Sequence, residues 1–104
     1  MPTAMFMRWP GVTLEQYEEA RSKVRWEEEP ADGGLFHVAG HDGEALRVFD
    51  LWDSPEQFQA FVEERLMPVV RGELGVETEP EVGVCEVHRM FAPRPIDAGA
   101  GVLV

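Results

Sequence analysis

The chain has 104 residues, a length typical of one domain with a hydrophobic core, and 44% of its residues are hydrophobic. Its 20 acidic residues against 9 Lys and Arg residues give a formal net charge of −11. Such a field repels phosphate backbones, so we expect no nucleic-acid partner. Cys85 is the single cysteine, which excludes an intramolecular disulfide and a cysteine-rich metal site. No run approaches the ~18–20 apolar residues of a membrane span, and no secretory signal pattern is present, so we expect a cytoplasmic protein without a membrane partner.

The first predicted strand covers residues 4–9, and Pro10-Gly11 ends it. A helix should follow, because Thr13 is a good N-cap and Gln16 completes a capping box with it. This helix should fade near Trp26, ahead of an acidic run and a proline. Apolar side chains form a stripe at helical spacing along it, which predicts one buried face: Leu14, Tyr17, Ala20 and Val24.

The next two predicted strands form a β-hairpin. Strand two covers residues 35–41 and strand three covers residues 44–52, with Asp42-Gly43 as a two-residue turn. That turn pairs His41 with Glu44. Both hairpin faces are then largely apolar, one with Leu35, His37, Ala39, Leu46, Val48, Asp50 and Trp52, the other with Phe36, Val38, Arg47, Phe49 and Leu51.

A second capped helix is predicted immediately after strand three. Ser54 is the N-cap, Pro55 suits the first helical position, and Gln57 completes a capping box. Pro68 removes a backbone donor and should kink or end the regular helix near Met67. The apolar stripe of this helix is Phe58, Phe61, Val62, Leu66 and Val69.

The last predicted strand covers residues 82–91, again with apolar side chains on both faces. We expect residues 1–91 to form the domain and residues 92–104 to form a tail that is extended or draped on a partner subunit. The order β-α-β-β-α-β predicts a ferredoxin-like α+β fold, with a four-stranded antiparallel sheet and two helices on one face. Because the uncovered sheet face is also apolar, we expect a homodimer that closes through the sheets.

Several segments of the chain resemble a known superfamily: residues 34–40, residues 47–54, and Phe58 with Phe61. Together they resemble the dimeric α/β-barrel superfamily, and they are most similar to its antibiotic-biosynthesis-monooxygenase-like proteins, many of them uncharacterised. The resemblance covers about residues 4–91. It implies a ligand pocket between the sheet and the helices of each subunit, lined by a tryptophan at the end of strand three, which Trp52 matches.

The chain departs from two patterns of that superfamily. Its monooxygenase and haem-degrading members carry an asparagine on the first strand, and residues 4–9 contain none. Its haem-degrading members also carry a histidine on the second helix, and residues 55–71 contain none. We therefore expect no haem bound through that ligand and no cofactor, and oxygenation through that asparagine is put in doubt.

His37 and Asp50 are the first catalytic candidates. The predicted hairpin places His37 opposite Val48, so Asp50 becomes its diagonal neighbour on the same face at roughly 5.5–8 Å. A carboxylate that orients an imidazole makes a general base. The alternative is a polar pair that satisfies its own hydrogen bonds inside the barrel.

His88 is a second catalytic candidate, on strand four with Glu86 two residues earlier on the same face. His41 lies at the hairpin tip and is predicted to be solvated. His37 and His41 are too far apart along a strand to share one metal ion, about 13 Å at ~3.3 Å per residue. A site from His37, Asp50 and His88 is conceivable, but we expect no metal.

The ligand-lining candidates are aromatic, and core packing is the alternative for most of them: Trp52, Trp9, Tyr17, Phe58 and Phe61. Arg8 and Arg47 are candidates for an acidic group of a ligand, with surface placement as the alternative. Cys85 is predicted to be a small core residue. The expected activity is cofactor-independent oxygenation, or His-assisted isomerisation or cyclisation, of an aromatic or polyketide-like compound. The alternative is a non-catalytic dimer that binds a hydrophobic small molecule or only assembles.

Overall fold

The computed structural model describes residues 1–94, and residues 95–104 lie outside it, together with most of the predicted tail. The strands are β1 (Thr3–Pro10), β2 (Gly34–His41), β3 (Ala45–Trp52) and β4 (Glu81–Glu86). The helices are α1 (Leu14–Val24) and α2 (Pro55–Phe61), and α2 runs on through π-helical segments at Val62–Leu66 and Pro68–Glu73. None of the helices within residues 1–94 is long and apolar enough to cross a membrane.

The four strands form one antiparallel sheet in the order β2-β3-β1-β4. This order and the β-α-β-β-α-β sequence of elements confirm the predicted ferredoxin-like α+β fold. The side chains of Met5, Trp9 and Trp52 point from the sheet toward the helices and are almost fully buried, with 1%, 3% and 4% exposure. Ala20 of α1 and Val70 of the second π-helical segment belong to the same core.

The helix N-termini form much as their sequences predict. Thr13 accepts a hydrogen bond from the Gln16 amide at 3.0 Å, and the Gln16 side chain accepts from the Thr13 amide at 2.9 Å, which completes the capping box. Ser54 likewise accepts from the Gln57 amide at 3.3 Å. The Gln57 side chain, however, contacts the Ser54 hydroxyl and Asp32 rather than the Ser54 amide, so the prediction of a second capping box is wrong.

The prediction that the regular helix ends near Met67 is wrong in position, because the α-helical part ends at Phe61 and π-helical turns follow. The chain winds on to Glu73 in π-helical turns. Pro68 lies inside this helical run, and the turns on both sides of it are π-helical rather than α-helical. The helix therefore continues past a residue that has no N–H to donate.

The hairpin register differs from the prediction by two residues. His41 pairs with Leu46 rather than Glu44, and His37 pairs with Asp50 rather than Val48. The loop is wider because the Asp42 carboxylate accepts from the backbone N–H groups of both Glu44 and Ala45, each at 2.9 Å. Because the shift is by an even number of residues, the side chains of residues 36–41 keep their predicted faces, whereas the register is irregular at Leu35.

Strand β4 ends at Glu86, so the prediction of a strand through residue 91 is wrong. All six residues of β4 are exposed, Val82 at 46% and Val84 at 52%. Cys85 is exposed as well, which corrects its expected place in the core. The helix layer covers β1 and β3 but leaves this edge strand bare.

Candidate functional site

His37 and Asp50 lie directly opposite each other on the edge strand β2 and its neighbour β3. The imidazole Nδ1 lies 2.6 Å from Asp50 Oδ1. The Asp50 side chain is only 9% exposed, whereas the His37 side chain is 33% exposed. The indole Nε1–H of Trp52, two residues further on the same strand face, donates to Asp50 Oδ2 at 3.0 Å. The buried carboxylate is therefore held from both sides and fixes the orientation of a partly exposed imidazole.

The second nitrogen of the same imidazole also has a partner. The hydroxyl of Tyr17 on α1 lies 2.7 Å from His37 Nε2, and the two rings are nearly parallel, at 9° with centroids 6.0 Å apart. Burial raises the pKa of the Tyr17 phenol above its ordinary value of 10.0, and the nearby Glu18 and Glu27 raise it further. We assign the tautomer that fits both contacts: His37 carries its proton on Nδ1 and donates it to Asp50, and the Tyr17 hydroxyl donates to Nε2.

Trp26 closes this group of rings from the segment that follows α1. Its ring lies 5.6 Å from both the Tyr17 and the His37 ring, edge-on to the imidazole. The Trp26 Nε1–H is buried and has no hydrogen-bond partner within residues 1–94. The sequence pattern predicts Trp26 only as the residue near which the first helix ends. The usable signal was its position just past a helix whose Tyr17 faces the sheet.

Four of the five aromatic ligand-lining candidates pack in the core of the described structure. Trp52 contacts Phe58 and Phe61, with ring centroids 5.6 and 5.5 Å apart. Trp9 is buried, and its Nε1–H donates to the Thr78 carbonyl at 3.0 Å. The fifth candidate, Tyr17, is half-buried at the His37 site.

The structure does not bring His88 to this site. His88 follows the end of β4, is exposed, and lies beyond one edge of the sheet, whereas His37 is on the opposite edge strand. Its predicted position on strand four is therefore wrong. Within residues 1–94, no group of three His, Cys, Asp or Glu side chains is arranged to hold a metal ion.

His41 is exposed but is not free in solvent as predicted. Its Nδ1 accepts from the Gly43 amide and its Nε2 donates to the Val12 carbonyl, both at 3.0 Å. It ties the hairpin loop to the segment before α1.

The outer face of the sheet, opposite the helices, carries a shallow groove of about 700 Å³. Phe6, Val38 and Phe49 form its apolar part, with the Phe6 and Phe49 rings 5.1 Å apart. Arg8 and Arg47 lie at one end, directly opposite each other on β1 and β3. Both arginines contact carboxylates of the chain itself, Arg47 at 2.8 Å and Arg8 at 3.3–3.8 Å. Their charges are therefore compensated on the surface of the protein.

Comparison with solved structures identifies the fold. A protein of unknown function from Nitrosomonas europaea is 15% identical, with a TM-score of 0.65 over 90% of this chain and 96% of its own. SnoaB, a cofactor-independent oxygenase from Streptomyces nogalater, is 12% identical, with a TM-score of 0.60 over 89% of this chain and 97% of its own. A protein from Chloroflexus aurantiacus that is named for the antibiotic biosynthesis monooxygenases is 15% identical, with a TM-score of 0.55 over 88% and 100%.

No protein family and no curated protein matches the sequence. The chain has the ferredoxin-like fold of the antibiotic-biosynthesis-monooxygenase-like proteins, which confirms the resemblance inferred from residues 4–91. At identities of 12–15% the likeness establishes the fold and leaves the chemistry to the residues of this chain.

Proposed function

We propose that this protein is a cofactor-independent enzyme that acts on an aromatic or polyketide-like small molecule, with proton transfer by His37 as its central step. The observation that carries the proposal is the 2.6 Å contact between His37 Nδ1 and Asp50 Oδ1. A buried carboxylate that orients a partly exposed imidazole is the arrangement that general-base catalysis requires.

The chemistry that suits such a base is removal of a proton from a carbon activated by a carbonyl group and aromatic rings. Two outcomes follow from the resulting carbanion. Returning the proton at another carbon gives isomerisation, or cyclisation when the carbanion attacks a carbonyl. Oxidation by dioxygen gives oxygenation: an anthrone and O₂ form an anthraquinone and water, so that dioxygen is the oxidant and no cofactor is consumed.

The fold supports the oxygenation outcome, because SnoaB, which shares this fold, is described as a cofactor-independent oxygenase. The residues support proton transfer in general rather than oxygenation in particular. The candidate base is a histidine on β2, and β1 lacks the asparagine that the resemblance associates with oxygenation. Both outcomes begin with the same proton removal. That step is therefore the one to test.

We also propose that two copies of the chain close through the outer sheet face. That face exposes apolar side chains on β1 and β2, Phe6 at 51% and Val38 at 49%, on either side of Phe49 on β3. Monomeric proteins rarely leave contiguous apolar patches of this kind in water. The ligand would then bind on the helix side of each subunit, next to His37.

A non-catalytic dimer is the second candidate function. The specific observation in its favour is the packing of Trp9 and Trp52, which are 3% and 4% exposed and fill space between sheet and helices. A protein of this kind would use the His37–Asp50 pair only to satisfy a buried carboxylate. The two candidates differ in whether replacing the pair changes a reaction rate.

The experiment uses anthrone as the substrate probe and compares His37→Ala and Asp50→Asn with the wild-type protein. Anthraquinone formation in air is followed by absorbance, and anthrone affinity by tryptophan fluorescence. We expect turnover to fall by about 10²–10⁴-fold in His37→Ala, the usual range for a lost general base, while affinity stays within about threefold. Asp50→Asn should lower the turnover number more than the affinity, because Asp50 positions the imidazole without touching the ligand.

Asp53→Asn is the matched control, because Asp53 is an exposed carboxylate on the same segment. It should retain wild-type turnover. If His37→Ala and Asp50→Asn also retain it, the protein is not an enzyme of the proposed kind and the non-catalytic reading is favoured.

A further inference from the structure

We propose that the Tyr17 hydroxyl is the group that exchanges a proton with the substrate, that His37 relays this proton, and that the substrate is a neutral carbon acid. This inference rests on the function proposed above. It assigns the contact with the reacting atom to a residue of α1, whereas the predicted base lies on β2.

The first reason is that both nitrogens of the His37 ring are occupied. Nδ1 is 2.6 Å from Asp50 Oδ1 and Nε2 is 2.7 Å from the Tyr17 hydroxyl. A substrate that approaches His37 therefore meets no free nitrogen lone pair. The phenol oxygen, by contrast, keeps acceptor capacity after donating its proton to Nε2.

The second reason is that the hydrogen bonds form one continuous chain from Tyr17 through His37 and Asp50 to Trp52. The Trp52 Nε1–H ends it by donating to Asp50 Oδ2 at 3.0 Å. One proton leaves the substrate carbon for the Tyr17 oxygen as the phenol proton passes to His37 Nε2. The substrate becomes a carbanion, His37 becomes an imidazolium beside the Asp50 carboxylate, and Tyr17 remains a neutral phenol. Return of the proton from the Tyr17 hydroxyl to the same carbon gives exchange with solvent, and return to another carbon of the carbanion gives isomerisation.

The third reason concerns charge around the phenol. Glu18 on α1, Glu27 after α1 and Asp50 on β3 act on Tyr17 with negative charge, and Arg21 on α1 opposes them. Arg21 is itself paired with both glutamates, at 2.8 Å to Glu18 and 3.1 Å to Glu27. These acidic groups repel an anionic substrate from the Tyr17 hydroxyl. The class that fits is a neutral ketone with an acidic C–H, beside an aromatic wall that Trp26 and Tyr17 provide.

The test measures proton transfer alone. Anthrone and 2-tetralone, two neutral carbon acids, are incubated in D₂O without oxygen, and deuterium uptake at the activated carbon is followed by proton NMR. Phenylpyruvate serves as the anionic carbon acid. Tyr17→Phe keeps the ring and removes only the hydroxyl, and Leu14→Gln is the control on the same helix, since Leu14 is 53% exposed.

We expect Tyr17→Phe and His37→Gln each to slow uptake from the neutral probes by about 10²-fold or more. The double variant should be no slower than either single variant, because the two residues act as a unit. Leu14→Gln should match the wild type. The wild-type protein should accelerate deuterium uptake by phenylpyruvate, relative to buffer, at least about tenfold less than uptake by the neutral probes.

The outcomes separate this inference from the proposed function. If Tyr17→Phe keeps wild-type uptake while His37→Gln loses it, the imidazole acts directly, the inference is wrong and the proposed function stands. If neither change matters, or the wild-type protein accelerates neither neutral probe, both are wrong. Equal acceleration with phenylpyruvate contradicts the substrate class.

A measurement without substrate tests the occupancy of His37 Nε2. Diethylpyrocarbonate modifies a histidine through a free ring nitrogen, so Tyr17→Phe should speed modification of His37 several-fold, as read by mass spectrometry. His88, which is exposed and remote from Tyr17, is the internal control within each sample. If Tyr17→Phe leaves the modification rate of His37 unchanged, the phenol does not occupy Nε2, and the relay is contradicted.

Discussion

Tyr17 is the single tyrosine of the chain, so ultraviolet absorbance follows its ionisation without interference from another phenol. We expect a midpoint above the ordinary pKa of 10.0, because burial disfavours the charged phenolate and the neighbouring glutamates add repulsion. Glu18→Gln should lower the pKa of Tyr17, since it removes the larger of the two glutamate contributions. Glu15→Gln is the control, an exposed acid on the same helix that should leave the midpoint unchanged.

A Tyr17 midpoint at or below 10.0 in the wild-type protein contradicts the buried, hydrogen-bonded phenol that the structure shows. A midpoint that moves equally in Glu18→Gln and Glu15→Gln points to net charge rather than local charge as the cause. Both results are read from one absorbance titration per variant.

At the residue scale, the sequence predicts the shared face of His37 and Asp50 but not the contact with Tyr17. Alternation along the strands is enough to put His37 and Asp50 on one face, and the structure keeps them there. Their direct pairing was not predictable, because it depends on a loop whose width the Asp42 side chain sets. The Tyr17 contact was not predictable either, since helical spacing shows which residues face the sheet but not where along it they lie.

At the scale of elements, the capping box at Thr13 is the local signal that best predicted a boundary. Thr13→Ala should lower the free energy of unfolding by about 1 kcal/mol, because it leaves the Gln16 amide without its acceptor. Urea denaturation measures this. Ser22→Ala is the control, since Ser22 is exposed within α1 and caps nothing, and it should change stability by less than about 0.5 kcal/mol.

An equal effect of Thr13→Ala and Ser22→Ala contradicts a contribution from the cap.

The second helix shows which features local sequence signals do not predict. Ser54 and Pro55 fix its start as predicted, but no residue near Pro68 predicts that the chain continues in π-helical turns to Glu73. The end of β4 is not predictable from local signals either, because the length of that strand depends on which neighbouring strand is present to pair with it.

At the scale of the whole molecule, the order of elements and the apolar character of both sheet faces were readable from the sequence. Element order predicts the ferredoxin-like plan because few topologies accommodate β-α-β-β-α-β with short connections. The arrangement of the core and the contacts of Tyr17 with His37 follow from how the helix layer packs on the sheet. Long-range packing of that kind is not encoded in any single window of residues.

The outer sheet face supplies the last prediction, which concerns assembly. A stable interface buries about 800 Å² on each partner, and a sheet face with Phe6 and Phe49 at its centre and charged residues at one end matches the usual anatomy of an apolar core and polar rim. We expect the wild-type chain to sediment as a dimer at micromolar concentration. Phe6→Glu should convert it to a monomer, because two carboxylates would then be buried without partners.

Leu14→Glu is the matched control for this change. Leu14 is 53% exposed and Phe6 is 51% exposed, so the two substitutions alter a free monomer to a similar degree. Leu14 lies on α1 in the helix layer, away from the outer sheet face, and an acid there is favoured by the helix dipole. Dissociation by Phe6→Glu alone places the interface on the sheet. A monomeric wild-type chain, or equal dissociation by both variants, contradicts closure through this face.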